Sequence, residues 1–157
     1  MGLVFGFPTS SFQGFQIGCK VRRSTTQNIS SGPPTPVLFD AEIYDPNNWH
    51  SLVSNTERIV VPENGYYHCV GGVQWSANTT GQRTLYLQNI GGTGDIVYES
   101  RDAQSAGFTQ HQISEIFYML AGYYVQLQVA QNSGATLTVG TSGGAYYGAY
   151  LGLQRIA

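Results

Sequence analysis

Charged side chains are scarce in this chain of 157 residues. Asp, Glu, Lys and Arg make up 10% of the sequence, whereas an average soluble domain has roughly 25%. The single lysine, Lys20, lies beside the pair Arg22 and Arg23, and the formal net charge is −2. Because phosphate contacts require clustered cations, the sequence argues against nucleic acid as a partner.

Long apolar runs are also missing. No stretch approaches the ~20 apolar residues of a membrane-spanning helix, and the first residues lack the charged and apolar regions of a signal peptide. We therefore expect no membrane insertion. Cys19 and Cys69 belong to no CxxC pattern, so the sequence predicts no cysteine-based metal site and does not favour a disulfide.

A catalytic signature is absent as well. His50, His68 and His111 are not spaced as metal-ligand pairs, and no serine has a GxSxG setting. Residues 91–94 and 140–144 are rich in glycine, but they join predicted strands instead of opening helices, so a phosphate cradle is not expected. The sequence therefore predicts a protein that is not an enzyme and that carries no cofactor.

What the chain does contain is aromatic residues, at 13%, among which are eleven tyrosines. Residues 65–75 follow a turn signal and alternate with period two, which predicts a strand with one buried face. The predicted core face carries Tyr67, Cys69, Val73 and Trp75, and the opposite face carries Tyr66, His68 and Gln74.

The remaining sequence from residue 37 onward indicates short strands separated by turns. The predicted strands cover residues 37–44, 58–61, 82–89, 95–100, 110–118, 124–130, 135–139 and 145–154. No helical periodicity competes with this pattern. The sequence therefore predicts an all-β fold, an antiparallel sandwich or jelly roll.

Residues 1–36 differ in composition and are expected to form an extended N-terminal arm, followed by one domain over residues 37–157. The arm contains Phe5, Phe7, Phe12 and Phe15 among Gly, Ser, Gln and Pro, and it ends in a cluster of prolines. An arm of this kind needs a surface on which to lie, so its phenylalanines are candidate anchors on a neighbouring subunit. Packing against its own domain is the alternative.

The order of features over residues 37–155 resembles the C1q/TNF-like jelly-roll family. The matching signals are Phe39, the run Ile59–Pro62, the run Gly65–Cys69, the Leu-x-Leu strand Leu85–Asn89, the run Leu120–Leu127, and the closing run Tyr147–Leu151. Cys69 and Gly71 stand where members of the family carry aromatic residues. Ligand and calcium sites of the family are therefore not carried over to this chain.

The resemblance implies a homotrimer whose inner sheet packs around the threefold axis. The tyrosine-rich strands supply the candidate trimer interface, which comprises Tyr66, His68, Tyr123, Tyr124, Tyr146, Tyr147 and Tyr150. Aromatic rings with a polar tip suit an interface. The alternative is that these are ordinary core and surface tyrosines. A metal site on the trimer axis, with His68 as its ligand, is a further alternative.

Two classes of function follow from this reasoning. The first is a structural virion protein, a trimeric decoration (cement) protein on the surface of a bacteriophage capsid, whose arm docks on the major capsid protein or another virion protein. The second is a recognition module, either the receptor- or glycan-binding tip of a phage tail fibre or a C1q-like ligand. In the second case the loop residues Trp49, Asn47, Asn48 and Asn78 are candidate contacts to a glycan.

Overall fold

The computed structural model of the protein describes residues 17–91, 94, 96–105, 107–140 and 148–156. The strands are β1 (Gly18–Arg22), β2 (Gln27–Ile29), β3 (Gly32–Pro36), β4 (Ala41–Tyr44), β5 (Arg58–Val60), β6 (Gly65–Trp75), β7 (Gln82–Ile90), β8 (Ile96–Asp102), β9 (Thr109–Met119), β10 (Tyr124–Gln131), β11 (Leu137–Val139) and β12 (Ala149–Arg155). The all-β prediction is confirmed. Among the described residues no helix is long and apolar enough to cross a membrane.

Two sheets form the sandwich, and every strand pairing is antiparallel. The first sheet has seven strands in the order β2-β11-β6-β12-β1-β4, with β9 on the other edge of β6. The second sheet has five strands in the order β3-β10-β7-β8, with β5 also paired to β10. Neighbouring strands in space are therefore mostly distant in sequence, as a jelly roll requires.

The core lies between the two sheets and is built from alternate positions of their strands. Tyr67, Cys69 and Trp75 of β6 are fully buried, and so are Leu85 and Leu87 of β7. The sandwich core also contains Val125, Leu127 and Val129 of β10 and Leu151 and Leu153 of β12. The period-two pattern of the sequence therefore identified the inward faces of β6, β7 and β10 correctly.

β6 is the strand on which the first sheet is organised. It contacts β9 along all eleven of its residues on one side, and on the other side it pairs with β12 and then with β11. The turn before it is fixed by two hydrogen bonds: the Tyr67 hydroxyl donates to the Glu63 carbonyl at 2.8 Å, and the Ala121 amide donates to Asn64 Oδ1 at 2.8 Å. The second bond ties this turn to the one that joins β9 to β10.

The structure corrects the predicted domain boundary at residue 36, because the described part of the predicted arm forms strands of the sandwich. β1 lies within the first sheet between β12 and β4, and both Cys19 and Val21 are fully buried. β3, although it contains three of the prolines, pairs with β10 at the edge of the second sheet, where a missing N–H is tolerated. Residues 18–36 therefore belong to the sandwich. Phe5, Phe7, Phe12 and Phe15 lie outside the described residues.

Candidate functional site: an assembly surface on the first sheet

The outward face of β6 alternates with its core face and leaves Tyr66 and His68 exposed. The register with β9 places Tyr66 opposite Tyr118 and His68 opposite Ile116. On the other side, Gln154 of β12 lies opposite His68. A continuous outward surface therefore crosses β9, β6 and β12 of the first sheet, and β9 is an edge strand.

Apolar side chains gather at one end of this surface. The rings of Tyr66 and Tyr118 meet edge to face with centroids 5.1 Å apart, yet the two residues are 51% and 53% exposed. Ile116 is 51% exposed, and Ile156, whose amide donates to the Tyr66 carbonyl, is 52% exposed. We call Tyr66, Ile116, Tyr118 and Ile156 the apolar patch. Contiguous exposed apolar side chains of this size mark interaction surfaces.

Tyr150 lies on the same sheet but farther along the strands. It pairs with Gly72, and a Cβ on Gly72 would come within 2.7 Å of the Tyr150 ring. The ammonium group of Lys20 lies 5.3 Å from the centre of that ring, a distance at which a cation is attracted to the aromatic face. Burial raises the pKa of the Tyr150 phenol above its usual value. The ring therefore lies against the sheet over a glycine, and only part of it faces outward.

The remaining predicted interface residues do not join this surface. Tyr124 begins β10 and belongs to the second sheet, where the Arg58 guanidinium lies 4.5 Å from its ring centre. Tyr123 is partly buried against the core and contacts Gly91. The grouping of this tyrosine pair with Tyr66 is therefore corrected, since Tyr124 lies on the opposite sheet and Tyr123 lies in the turn that precedes β10. Tyr146 and Tyr147 lie outside the described residues.

Sequence reasoning missed the other half of the apolar patch. Ile116 and Tyr118 occupy alternate outward positions of β9, and the period-two pattern of that strand is visible in the sequence. What the pattern does not give is the pairing partner, which lies about fifty residues away along the chain. Only the β6–β9 register brings the two tyrosines together.

Of the four loop residues predicted to contact a glycan, Trp49 and Asn78 have structural roles, whereas Asn47 and Asn48 are exposed. Trp49 is only 5% exposed and packs edge to face on Tyr67, with ring centroids 5.9 Å apart. Asn78 Oδ1 accepts hydrogen bonds from Arg83 at 2.9 Å and from the Thr80 amide at 2.9 Å. The Trp49 ring is therefore not available for stacking on a sugar, which corrects that part of the expectation.

The reactive side chains do not converge on a catalytic arrangement in the part of the chain that the structure describes. His50 lies in a loop, His68 faces outward and His111 is buried between the sheets. Cys19 and Cys69 are free and buried, and burial raises the pKa of each thiol far above its usual value, so both stay protonated and unreactive. Among the described residues, no three His, Cys, Asp or Glu side chains are grouped to hold a metal ion.

His111 is the most unusual of these groups. Its side chain is completely buried, its Nδ1 lies 3.8 Å from Glu99 Oε2, and neither ring nitrogen has a hydrogen-bond partner among the described residues. Burial lowers its pKa below the usual value, with Arg101 and Arg83 acting in the same direction and Glu99 opposing them. The imidazole is thus held in its neutral form beside a carboxylate.

Known structures share this architecture at low sequence identity. The globular domain of zebrafish complement 1qA protein superposes with a TM-score of 0.66 and 15% identity, covering 90% of this chain and 98% of that one. Murine APRIL, in its crystal structure at pH 5.0, gives 0.65 and 13%, covering 88% and 98%. Eiger TNF from S. frugiperda gives 0.59 and 14%, covering 90% and 92%.

These likenesses show the fold, which is that of the C1q and TNF jelly rolls, and they confirm the predicted fold class. No protein-family model matches the sequence, and no curated protein sequence is similar to it. Because one jelly roll serves many roles, what the chain does has to be argued from its own surfaces.

Proposed function

We propose that this chain assembles into a homotrimer through the outward face of its first sheet, and that it works by binding other macromolecules and not by catalysis. The observation that carries the proposal is the apolar patch: four large side chains, each about half exposed, lie together on one sheet face. Covering such a patch removes apolar surface from water, at about 25 cal/mol for each Å².

The number of subunits in the assembly follows from the requirement that a symmetric assembly be closed. A patch near one edge of a sheet face contacts copies of itself most simply around a symmetry axis, and closed cyclic symmetry limits the number of copies. The C1q/TNF-like fold of the chain favours the threefold case, as the sequence resemblance implies. His68 lies next to the patch at Ile116 and is polar enough to hydrogen bond across such an interface.

A charge placed within the patch tests this assembly. Tyr118→Asp should dissociate the trimer, because a carboxylate buried in an apolar interface is strongly unfavourable. Tyr98→Asp is the matched control, since Tyr98 is 66% exposed on an outward position of the second sheet. Dissociation by the first variant and not by the second is the expected result. A trimer that survives Tyr118→Asp would remove the patch from the interface.

For the setting of this trimer we propose a virion, where the protein decorates the capsid surface and its N-terminal segment contacts the major capsid protein or another virion protein. The low charge of the chain and the four phenylalanines at its start support this proposal. The test is removal of residues 1–16, which leaves every described strand intact. Attachment to the particle should be lost while the trimer remains, and retained attachment would contradict the docking role.

The second candidate is a recognition module, and the outward face of the second sheet favours it. That face is aromatic and almost free of charge, as a binding surface for an uncharged partner would be. Copy number distinguishes the two settings. A stoichiometry that matches the subunits of the shell supports decoration, whereas a few copies for each particle, located at the tail, supports recognition.

A further inference from the structure

The outward face of the second sheet carries rows of tyrosine and glutamine that cross several strands. β7 directs Leu85 and Leu87 into the core, β8 directs Val97 against it, and β10 directs Val125 into it. The residues between these positions face outward. We call the outward set Tyr86, Gln88, Tyr98, Tyr124, Gln126 and Gln128 the tyrosine–glutamine face.

The register aligns this face in straight rows. In one row Tyr86 lies between Tyr98 of β8 and Gln128 of β10. In the next row Gln88 lies opposite Gln126. With neighbouring strands about 4.8 Å apart and residues about 3.4 Å apart along a strand, the face extends about 10 Å across its three strands and about 14 Å along β10. This is room for several sugar rings.

The aromatic part of the face presents one exposed ring, Tyr98, beside the half-buried rings of Tyr86 and Tyr124. Tyr86 and Tyr98 are tilted partners with centroids 5.9 Å apart, and Tyr98 is 66% exposed. Tyr124 stands at the other end of the face. Tyrosine supplies a large and rigid contact area at little cost in conformational entropy, which suits a binding surface.

The polar part of the face is already ordered. Gln126 Nε2 donates to Gln88 Oε1 at 2.8 Å, and Gln126 is only 6% exposed although it points away from the core. A neutral amide carries both donors and acceptors, so Gln88, which is half-buried, keeps its Nε2 donors beyond the shared bond, while the buried Gln126 holds it in place. Pre-ordered polar groups bind without a further loss of rotamer freedom.

Charge is almost absent from this surface. The outward positions 84–90 of β7, 96–100 of β8 and 124–130 of β10 hold no charged residue. Arg58 of β5 lies opposite Gln126 at the border of the face, where it stacks on Tyr124 and is paired with Glu57 at 3.0 Å. The face therefore has no unpaired cation to select an acidic partner.

From these features we infer that the tyrosine–glutamine face binds a neutral glycan. A pyranose ring offers one face of C–H bonds and a rim of hydroxyl groups, and it carries no charge. The C–H face matches the rings of Tyr86 and Tyr98, and the hydroxyls match the half-buried amides of Gln88 and Gln128, while the buried Gln126 orients Gln88. Trimer formation through the first sheet would leave the second sheet free and would present three such faces, so that many weak contacts act together.

This inference deepens the recognition role proposed above, and its test uses the full chain. The wild type is applied to an array of neutral oligosaccharides of glucose, galactose, mannose and N-acetylglucosamine, and binding is then measured by calorimetry with the soluble oligosaccharide that the array selects. Tyr86→Ala/Tyr98→Ala should weaken the solution affinity about tenfold or more, which corresponds to about 1.4 kcal/mol. Tyr98→Phe, which keeps the ring, and Phe108→Ala, at a 56% exposed ring outside both surfaces, should bind like the wild type.

Binding of the wild type to none of these glycans, or only to acidic ones, would overturn the inference. So would an affinity that Tyr86→Ala/Tyr98→Ala does not change. An effect of Tyr98→Ala on oligomeric state instead of on binding would also overturn it, because it would assign the face to a second copy. Cross-strand tyrosines also stabilise a sheet, so thermal unfolding is recorded for each variant, and Tyr98→Ala alone serves if the double variant does not fold. Oligomeric state is measured on the same samples. A trimer without glycan binding would overturn only this inference, whereas a monomer that binds glycan would overturn only the assembly proposal.

Discussion

Tyr66 and Tyr118 are cross-strand partners whose rings meet edge to face at 5.1 Å, with an angle of 64° between the ring planes, while half of each residue stays in solvent. Aromatic pairs prefer this edge-to-face arrangement. The two rings thus have the preferred contact geometry, but about half of each residue is still exposed to water. A second surface that covers the two exposed halves would complete their burial, which is why the patch is central to the proposed assembly.

The tyrosine pair itself can be measured in a double-mutant cycle. Tyr66→Ala, Tyr118→Ala and the double variant are compared by urea unfolding, at a protein concentration that keeps all samples in one oligomeric state. We expect a coupling free energy of about 1 kcal/mol, the usual value for an edge-to-face pair. Additive losses, with no coupling, would mean that the rings do not contact each other in solution.

Gly71 allows the two sheets to approach each other closely. A Cβ at this position would lie 2.6 Å from Leu127 Cδ2, across the core on the second sheet. Gly71→Ala should therefore lower the free energy of unfolding by about 1–3 kcal/mol through overpacking. Combined with Leu127→Ala, which opens space, it should cost clearly less than the sum of the two changes. Strict additivity in the unfolding experiment would contradict this contact.

His111 should make stability depend on pH. Its pKa is lowered in the folded protein by burial, while in the unfolded chain a histidine titrates near the usual value of about 6.5. Between those two values the unfolded chain binds more protons, so stability falls as the pH drops through about 6.5, and it stops falling below the folded-state pKa. The charged groups that face the imidazole are Glu99, Arg101 and Arg83.

The measurement for His111 is the free energy of unfolding at about pH 7.5 and about pH 5.5, on either side of the ordinary titration of histidine. The wild type should lose more stability over this interval than His111→Gln, whose side chain does not titrate. Because His50 and His68 are unchanged in the variant, they serve as the internal control. An equal loss in both proteins would assign the effect to another group.

Truncation tests where the sandwich begins. Removing residues 1–16 should leave a folded protein. Removing residues 1–36 should abolish folding, because it deletes β1 from between β12 and β4 and takes Cys19 and Val21 out of the core. Circular dichroism and solubility distinguish the two results. A folded protein without residues 1–36 would restore the boundary that the composition suggested.

Strands with strong alternation were predictable from the sequence alone. β6, β7 and β10 fall within a residue of the predicted ranges, and their core faces were assigned correctly. β1 and β3 were not predicted: β1 is short and contains Lys20 and Arg22, and the Pro-rich run of β3 has low strand propensity. Tertiary pairing decides their conformation: β1 completes the first sheet, and β3 occupies an edge where proline is allowed.

The candidate surfaces were only half predictable for the same reason. Alternation indicates that Tyr66 and Tyr124 each face away from the core, but it does not tell which sheet each strand joins. The topology places them on opposite sheets, so one tyrosine set becomes two surfaces. Both the partner ring Tyr118 and the row from Gln88 to Gln126 follow from strand register, which a local sequence pattern does not specify.

The mass of the native protein in solution tests the central claim most directly. Sedimentation equilibrium of the full chain at micromolar concentration should give three times the chain mass of 17.1 kDa. Tyr118→Asp should sediment with the mass of a single chain, and Tyr98→Asp should sediment like the wild type. A wild-type protein with the mass of one chain under these conditions would contradict the assembly through the first sheet.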